Sequence, residues 1–252
     1  MEDFKSIEVP TVCFFDSGIG GLNLLKQSIQ RFPQLKYLYF ADNYNVPYGS
    51  FSHSELLRRV DGIFSSMVQY GPSAAVIACN TVTAHCAKFL RDKFAFPIIG
   101  IQPAVKPAVE LFGGCHVFAT PSTAESESLN ELVLRCGGGK TEVVPCPDLA
   151  SYIENNIFNI DDKILQELLP EIVPQALVLG CTHYIFVKSK IQKRYACPVF
   201  DGVNGTINHL AEVLGIFDHF SGNLCCLSGN VKFIGGDEGK NRAVLRYILS
   251  QS

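Results

Sequence analysis

The sequence predicts an α/β protein of two similar, pseudo-symmetric domains, with mainly parallel sheets and an active site in the cleft between them. Short apolar runs alternate with helical patterns along all 252 residues. These runs are continuous rather than alternating, which is typical of strands covered by helices on both faces. Two similar segments, Ala78-Cys79-Asn80-Thr81 and Gly180-Cys181-Thr182-His183, each follow such a run. Alternation of this kind predicts right-handed βαβ units, and the repeated segment predicts two halves.

The predicted strands are short apolar runs separated by helical patterns. In chain order they are Val12–Phe15, Tyr37–Ala41, Ala74–Ala78, Ile98–Ile101, His116–Ala119, Glu142–Pro145, Ala176–Gly180, Pro198–Phe200 and Val231–Ile234. After the second strand, Ser52-x-x-Glu55 predicts a capping box that opens a helix. The glycines at 137–139 follow the helical pattern Leu129–Cys136 and predict the left-handed end of that helix.

Composition excludes several classes of function. Apolar residues make up 47% of the chain and charged residues 18%, and the net charge is −3, so no basic surface for nucleic acid is expected. The amino terminus lacks a signal-peptide pattern, and no apolar stretch approaches the ~18–20 residues that span a bilayer. We therefore expect a cytoplasmic protein with no membrane partner. In that reducing compartment the ten cysteines are expected to be thiols, and no C-x-x-C spacing indicates a metal site.

The segment Asp16-Ser17-Gly18-Ile19-Gly20-Gly21 lies between a predicted strand and a predicted helix. Such a turn presents free backbone N–H groups and the positive end of the helix dipole to an anion. The dinucleotide fingerprint does not fit, because Asn23 stands where its third glycine should be. A small carboxylate is the better ligand. The glycines could instead form only a tight turn, but that leaves the Asp16-Ser17 pair unexplained.

The two repeated segments place Cys79 and Cys181 at the carboxyl ends of strands, where open α/β sheets bind ligands. A buried cysteine is often only a small apolar filler. The polar residues beside both thiols favour chemistry instead. Two thiols facing one site, with no cofactor motif, suit inversion at an amino acid's α-carbon without cofactor or metal. Asp16 and His183 are the candidate acid–base partners, although a helix cap and a surface histidine are alternatives for them.

Four ordered motifs extend this hypothesis. They are Phe15-Asp16-Ser17-Gly18-Ile19-Gly20-Gly21-Leu22, Tyr39-Phe40-Ala41-Asp42 with Pro47-Tyr48-Gly49, Ala78-Cys79-Asn80-Thr81, and Leu179-Gly180-Cys181-Thr182-His183-Tyr184. Together they resemble the glutamate racemases of the aspartate/glutamate racemase superfamily. The resemblance implies interconversion of L- and D-glutamate, which supplies D-glutamate for peptidoglycan. It also implies that the carboxy-terminal segment returns to the first domain, so we expect residues 1–101 with 211–252 in one half and 102–210 in the other.

The resemblance also implies roles for individual residues. Cys79 would be the base toward D-glutamate and Cys181 the base toward L-glutamate. The loosely matched segment that begins at Cys146 nominates Glu154 as an acid near the second thiol. The residues expected to hold the substrate are Asp16, Ser17, Tyr48, Gly49, Asn80, Thr81, Thr123, Thr182 and His183.

Two alternatives stay open. The same thiols could racemise aspartate or another amino acid, since the sequence does not show the depth of the pocket. A two-lobed amino-acid-binding protein without catalysis would explain the anion-binding turns but not the two cysteines. The sequence leaves a homodimer open as well.

Overall fold

The computed structural model describes residues 9–136, 140–216 and 231–251, and these ranges form two parallel sheets with flanking helices. The strands are β1 (Thr11–Asp16), β2 (Lys36–Ala41), β3 (Ala74–Ile77), β4 (Ile98–Gly100), β5 (His116–Ala119), β6 (Glu142–Pro145), β7 (Leu177–Leu179), β8 (Val199–Asp201) and β9 (Val231–Ile234). Every predicted strand is present, with each end displaced by one residue at most. The predicted α/β class and parallel pairing are confirmed.

The helices connect these strands and cover both sheets. They are α1 (Leu22–Arg31), α2 (His53–Met67), α3 (Asn80–Lys93), α4 (Val105–Phe112), α5 (Pro121–Ala124), α6 (Glu127–Arg135), α7 (Leu149–Asn156), α8 (Asp162–Leu168), α9 (Lys188–Tyr195), α10 (Val203–Leu214) and α11 (Glu238–Ser250). The capping box that opens α2 is confirmed, since Ser52 and Glu55 bond to each other's backbone N–H. The predicted helix end at 137–139 lies outside the described residues. Within the described ranges, no helix combines the length and apolar composition needed to cross a membrane.

The first sheet has the order β4-β3-β1-β2-β9 and the second the order β6-β5-β7-β8. Successive side chains of β1 enter different cores because a strand's side chains alternate between its two faces. Phe14 belongs to a core that also contains Phe118 and Leu179 of the second sheet, whereas Phe15 packs in a separate core with α2 and α3. One apolar core is therefore shared by the two sheets, and each sheet with its flanking helices forms one half of the fold.

The carboxy-terminal part of the chain packs on the first sheet. Strand β9 pairs with β2, and α11 packs against α1 and β9. Helix α10 contacts α1, β3 and β4, and the predicted boundary at 210/211 falls within this helix. Because β1 and β3 are parallel neighbours, their carboxyl ends lie at one edge, where Asp16 and Cys79 are found. Cys181 follows β7 of the second sheet in the same way.

Candidate active site

Cys79 lies between the end of β3 and the first turn of α3. It is the N-cap residue of that helix, with extended backbone angles, so its side chain stands at the helix's positive end. Its Sγ lies 3.7 Å from Ser17 Oγ, and the side chain is only 6% exposed. Burial raises the pKa of Cys79 to about 12, and the negative charge of Asp16 adds to this rise. Cys79 is therefore a thiol at neutral pH.

Cys181 occupies the equivalent place after β7, at the start of a 3₁₀ turn over Thr182–Val187. Its Sγ lies 3.8 Å from Nδ1 of His183, and the side chain is 7% exposed. The other ring nitrogen of His183, Nε2, lies 2.7 Å from Oε2 of Glu154. Burial favours the neutral ring, but the contacts with Cys181 and Glu154 prevail and hold the pKa of His183 well above its usual value. A protonated imidazole therefore stands between the thiol and the carboxylate.

Glu154 projects from α7 and is buried among four hydrogen-bond donors. Oε2 accepts from His183 and, at 2.9 Å, from the backbone N–H of Ile19. Oε1 accepts from Nδ2 of Asn43 at 3.0 Å and from Nζ of Lys240 at 2.8 Å. Burial opposes ionisation, yet the bond and charge of His183, with the other donors, hold the pKa of Glu154 below its usual range. The side chain is a buried carboxylate that joins both halves.

Asp16 is completely buried at the end of β1. Its carboxylate accepts from the backbone N–H of Gly18 at 2.8 Å and from Oγ1 of Thr182 at 3.2 Å. Burial raises the pKa of Asp16 to about 6, and the charge of His183 limits this rise. The pKa of Asp16 therefore lies close to neutral pH, and its carboxylate links the turn after β1 to Thr182 of the second half.

Glycines are required in the turn after β1 because side chains from other parts of the chain approach its backbone closely. A Cβ on Gly18 would overlap the carboxylate of Glu154. A Cβ on Gly20 would overlap Oγ1 of Thr182 and lie 2.8 Å from Nδ1 of His183. Neither glycine has a positive φ. The interpretation of these residues as a tight turn alone is incomplete, because the glycines make room for catalytic candidates from the second half.

A cluster of threonine hydroxyls lies where α3 meets α5. Oγ1 of Thr81 is 3.0 Å from Oγ1 of Thr123 and 3.2 Å from Oγ1 of Thr120, and the latter two atoms are 2.9 Å apart. Thr81 and Thr123 are both buried, as is Asn80 at the first turn of α3. The three hydroxyls, at the positive end of α3, are suited to bind a carboxylate. Thr120 was not among the predicted site residues.

Tyr48 and Gly49 belong to a 3₁₀ turn that contacts α5. The Tyr48 hydroxyl donates to Oδ2 of Asp42 at 2.6 Å, and Arg59 binds the same oxygen at 3.1 Å. This hydroxyl is therefore engaged within the protein. The backbone of the turn remains as the group that could contact a ligand.

The site also contains residues that the sequence did not suggest. Lys240 and Asn241 come from the first turn of α11, and Asn43 follows β2. Asn43 and Asn241 exchange two side-chain hydrogen bonds, of 3.2 and 2.9 Å. No local pattern marks these residues, since each acquires its role from residues more than 80 positions away.

Across the described ranges, no group of three or more His, Cys, Asp or Glu side chains is arranged to hold a metal ion. The eight cysteines within those ranges are all free thiols.

Comparison with known proteins agrees with this geometry. The Asp/Glu/hydantoin racemase family matches residues 22–210. A glutamate racemase of Leptospira borgpetersenii is 36% identical over 223 residues, which are 86% of each chain. One of Campylobacter curvus is 38% identical over 216 residues, covering 79% of this chain and 81% of the relative. The structure of Escherichia coli glutamate racemase with L-glutamate and the activator UDP-MurNAc-ala has a TM-score of 0.80 at 27% identity, covering 96% and 95% of the two chains. The chain therefore belongs to the Asp/Glu/hydantoin racemase family.

Proposed function

We propose that this chain is a glutamate racemase that interconverts L- and D-glutamate through two thiols, without a cofactor. The observation that carries this proposal is the placement of Cys79 and Cys181 after equivalent strands of different sheets, each beside buried acid–base groups. The relatives named glutamate racemase support the same substrate. A glutamate racemase of Francisella tularensis was solved with D-glutamate, and its TM-score of 0.76 at 23% identity supports the shared fold.

The substrate's α-ammonium is expected to bind near Asp16. This carboxylate is wholly buried, and its hydrogen-bond donors among the described residues, the Gly18 N–H and the Thr182 hydroxyl, are neutral. A bound ammonium would stabilise its ionised form. It would also offset the effect of Asp16 on Cys79, and would so favour the thiolate that the reaction needs.

We assign the carboxylates of the substrate to the hydroxyl and amide groups around α3 and to the neighbouring turns. Thr81 and Thr123 contribute hydroxyls, and Asn80 lies at the positive end of α3. The remaining binding residues proposed here are Ser17, Tyr48, Gly49, Thr182 and His183. The backbone of the Tyr48 turn is the part assigned to the ligand, because the phenol hydroxyl is bound to Asp42.

The reaction moves one proton off the α-carbon and adds another to its opposite face. With L-glutamate, the Cys181 thiolate takes the α-proton, the electron pair remains on the α-carbon as a carbanion, and the Cys79 thiol donates its proton to the other face. With D-glutamate the thiols exchange roles. His183 stabilises the Cys181 thiolate, because a neighbouring imidazolium favours the charged form of a thiol. Glu154 holds His183 in place and keeps it protonated.

The nearly sealed site favours this chemistry. Asp16, Cys79, Cys181, Glu154 and His183 are all buried. Excluding water strengthens the electrostatic interactions with the developing carbanion and prevents its protonation by solvent.

The biological part of the proposal is that the D-glutamate supplies peptidoglycan synthesis in the cytoplasm. A homodimer stays a prediction, and sedimentation velocity of the purified protein will measure it.

The first test follows the fate of the α-proton. In D₂O the product should carry deuterium at its α-carbon from the first turnovers, because the added proton comes from the opposite thiol. Mass spectrometry of each product enantiomer measures this. Parallel assays with aspartate distinguish the substrate, and a protein that only binds amino acids will racemise neither. Early product that retains the original α-proton would contradict the two-thiol mechanism.

The second test separates the two thiols. Cys79→Ser and Cys181→Ser should both abolish racemisation, because a hydroxyl is a far weaker acid than a thiol. Cys79→Ser should still eliminate chloride from a β-chloro analogue of L-glutamate, and Cys181→Ser from the D-analogue. Cys197→Ser is the matched control, since Cys197 is equally buried and lies outside the site. Equal losses toward both enantiomers in both variants would show that the thiols do not divide the work by face.

A further inference from the structure

The amino end of α11 brings Lys240 against Glu154, which projects from α7. Nζ of Lys240 lies 2.8 Å from Oε1 of Glu154, and the lysine side chain is 26% exposed while the glutamate is 4% exposed. Asp237, the N-cap of α11, holds the first turn by accepting from the backbone N–H of Lys240 at 2.9 Å. Lys240 is therefore held in place from both its backbone and its side chain.

The contacts form an ordered chain of charges: Lys240, Glu154, His183 and Cys181. Each member touches the next, with heavy-atom distances of 2.8, 2.7 and 3.8 Å. The two oxygens of Glu154 are divided, since Oε1 faces Lys240 and Asn43 while Oε2 faces His183 and Ile19. The positive charge of Lys240 therefore influences His183 through the Glu154 carboxylate, which contacts both side chains.

We propose that Lys240 is a positioning residue of the racemisation reaction, which binds Oε1 of Glu154 and balances the carboxylate that holds His183 against Cys181. This inference rests on the proposed function. Lys240 does not touch the reacting atoms, and it acts only through Glu154. Its positive charge limits how strongly Glu154 stabilises the His183 imidazolium, so that a proton can move from Nδ1 of His183 to the Cys181 thiolate and back.

Charge balance in the buried site gives the physical reason. Asp16 and Glu154 supply negative charges when ionised, and His183 and Lys240 supply positive charges. Tyr39 adds none, because burial raises the pKa of Tyr39 well above its usual value. Removal of Lys240 leaves one uncompensated negative charge beside His183, and this charge stabilises the imidazolium.

The test compares Lys240→Met, which keeps length and loses charge, with Lys240→Arg, which keeps the charge. Lys240→Gln retains a donor to Glu154 without the charge, and it serves if the Met variant fails to fold. Lys93→Met is the matched control, since Lys93 forms an ion pair with Asp61 between α3 and α2.

The direct measurement is the ¹⁵N NMR titration of His183, assigned with His183→Gln. The pKa of His183 should rise by about one pH unit in Lys240→Met and Lys240→Gln. In Lys240→Arg and in the Lys93→Met control, the pKa of His183 should equal that of the unmodified protein. An unchanged titration in both neutral variants overturns the proposal. If the unmodified protein racemises neither enantiomer, the proposed function fails, while the titration still decides whether Lys240 acts on His183.

Kinetics provide the second measurement. L- and D-glutamate have equal free energies, so kcat/KM must fall by the same factor in both directions. We expect a fall of about tenfold, which corresponds to about 1.4 kcal/mol, expressed mainly in kcat rather than KM. The limb of the pH profile that follows His183 should move to higher pH. A kcat that is restored in Lys240→Arg supports the role of the charge. A loss of kcat/KM that comes only from a higher KM contradicts the assignment.

Discussion

Replacing Asp16 by Asn should stabilise the protein at neutral pH while stopping racemisation. The carboxylate is completely buried, and burial raises the pKa of Asp16 from 3.8 to about 6. The folded state therefore opposes ionisation, and at pH 7 that ionisation is nonetheless nearly complete. Asn has the same shape without the charge. It can still accept from the Gly18 N–H, as Asp16 does at 2.8 Å.

The size of the effect follows from the two pKa values. A difference between 3.8 and about 6 corresponds to about 3 kcal/mol of folding free energy at pH 7, since each pH unit is worth about 1.4 kcal/mol. Because the folded pKa is raised, wild-type stability decreases as pH rises between about 4 and 6. The Thr182 hydroxyl loses its carboxylate acceptor in the variant, which subtracts about 1–2 kcal/mol. The expected net gain at pH 7 is about 1–2 kcal/mol.

Urea unfolding at pH 7 and pH 5 measures this gain. At pH 5 Asp16 is mostly protonated in the folded protein, so the advantage of Asn should fall by about 1.4 kcal/mol. Asp92→Asn is the control, because Asp92 is exposed and forms a surface ion pair with Lys88, and its change should stay within about 0.5 kcal/mol at both pH values. An Asp16→Asn effect that is the same at pH 5 and pH 7 would refute the reasoning.

Three further predictions follow from the same geometry. Iodoacetamide should modify Cys181 faster than the core thiol Cys13, because burial raises the pKa of Cys13 to about 12. Glutamate should protect Cys181, and peptide mapping that finds Cys13 modified first would count against the site. Gly20→Ala should lower kcat about 100-fold because its Cβ displaces Thr182 and His183. The control is Gly62→Ala in α2, where a Cβ has no atom within contact distance, and it should leave kcat unchanged while adding up to about 1 kcal/mol of stability. Exhaustive dialysis against a chelator should leave activity intact, and revival of inactive protein by pyridoxal phosphate would contradict the cofactor-free mechanism.

Local pattern was sufficient to predict the elements and the two thiols. Continuous apolar runs located the strands because strands covered on both faces are apolar throughout. The chain order of strand, Cys79 and helix placed that thiol at a sheet edge, since parallel strands end at a common edge. The equivalent order around Cys181 did the same for the second sheet. These features depend on residues only a few positions apart.

The charge states and the roles of the side chains could be assigned only from the tertiary structure. The pKa of Asp16 near neutrality results from complete burial, which no local pattern reveals. Tyr48, expected among the substrate-binding residues, has its hydroxyl bound to Asp42. The glycines of the turn after β1 resembled a turn signal, yet their role is to admit side chains from the second half.

The sequence alone therefore determined the α/β class, the strand order along the chain and the cysteine pair, because short-range periodicity and composition encode them. Only the tertiary structure brought Lys240 and Asn43 to Glu154, across separations of 86 and 111 positions. Such contacts arise when the carboxy-terminal helix packs on the first sheet and α7 of the second half meets it. Hydrogen bonds between distant residues leave no periodic trace in a single sequence, so the charge balance of the site became visible only in the fold.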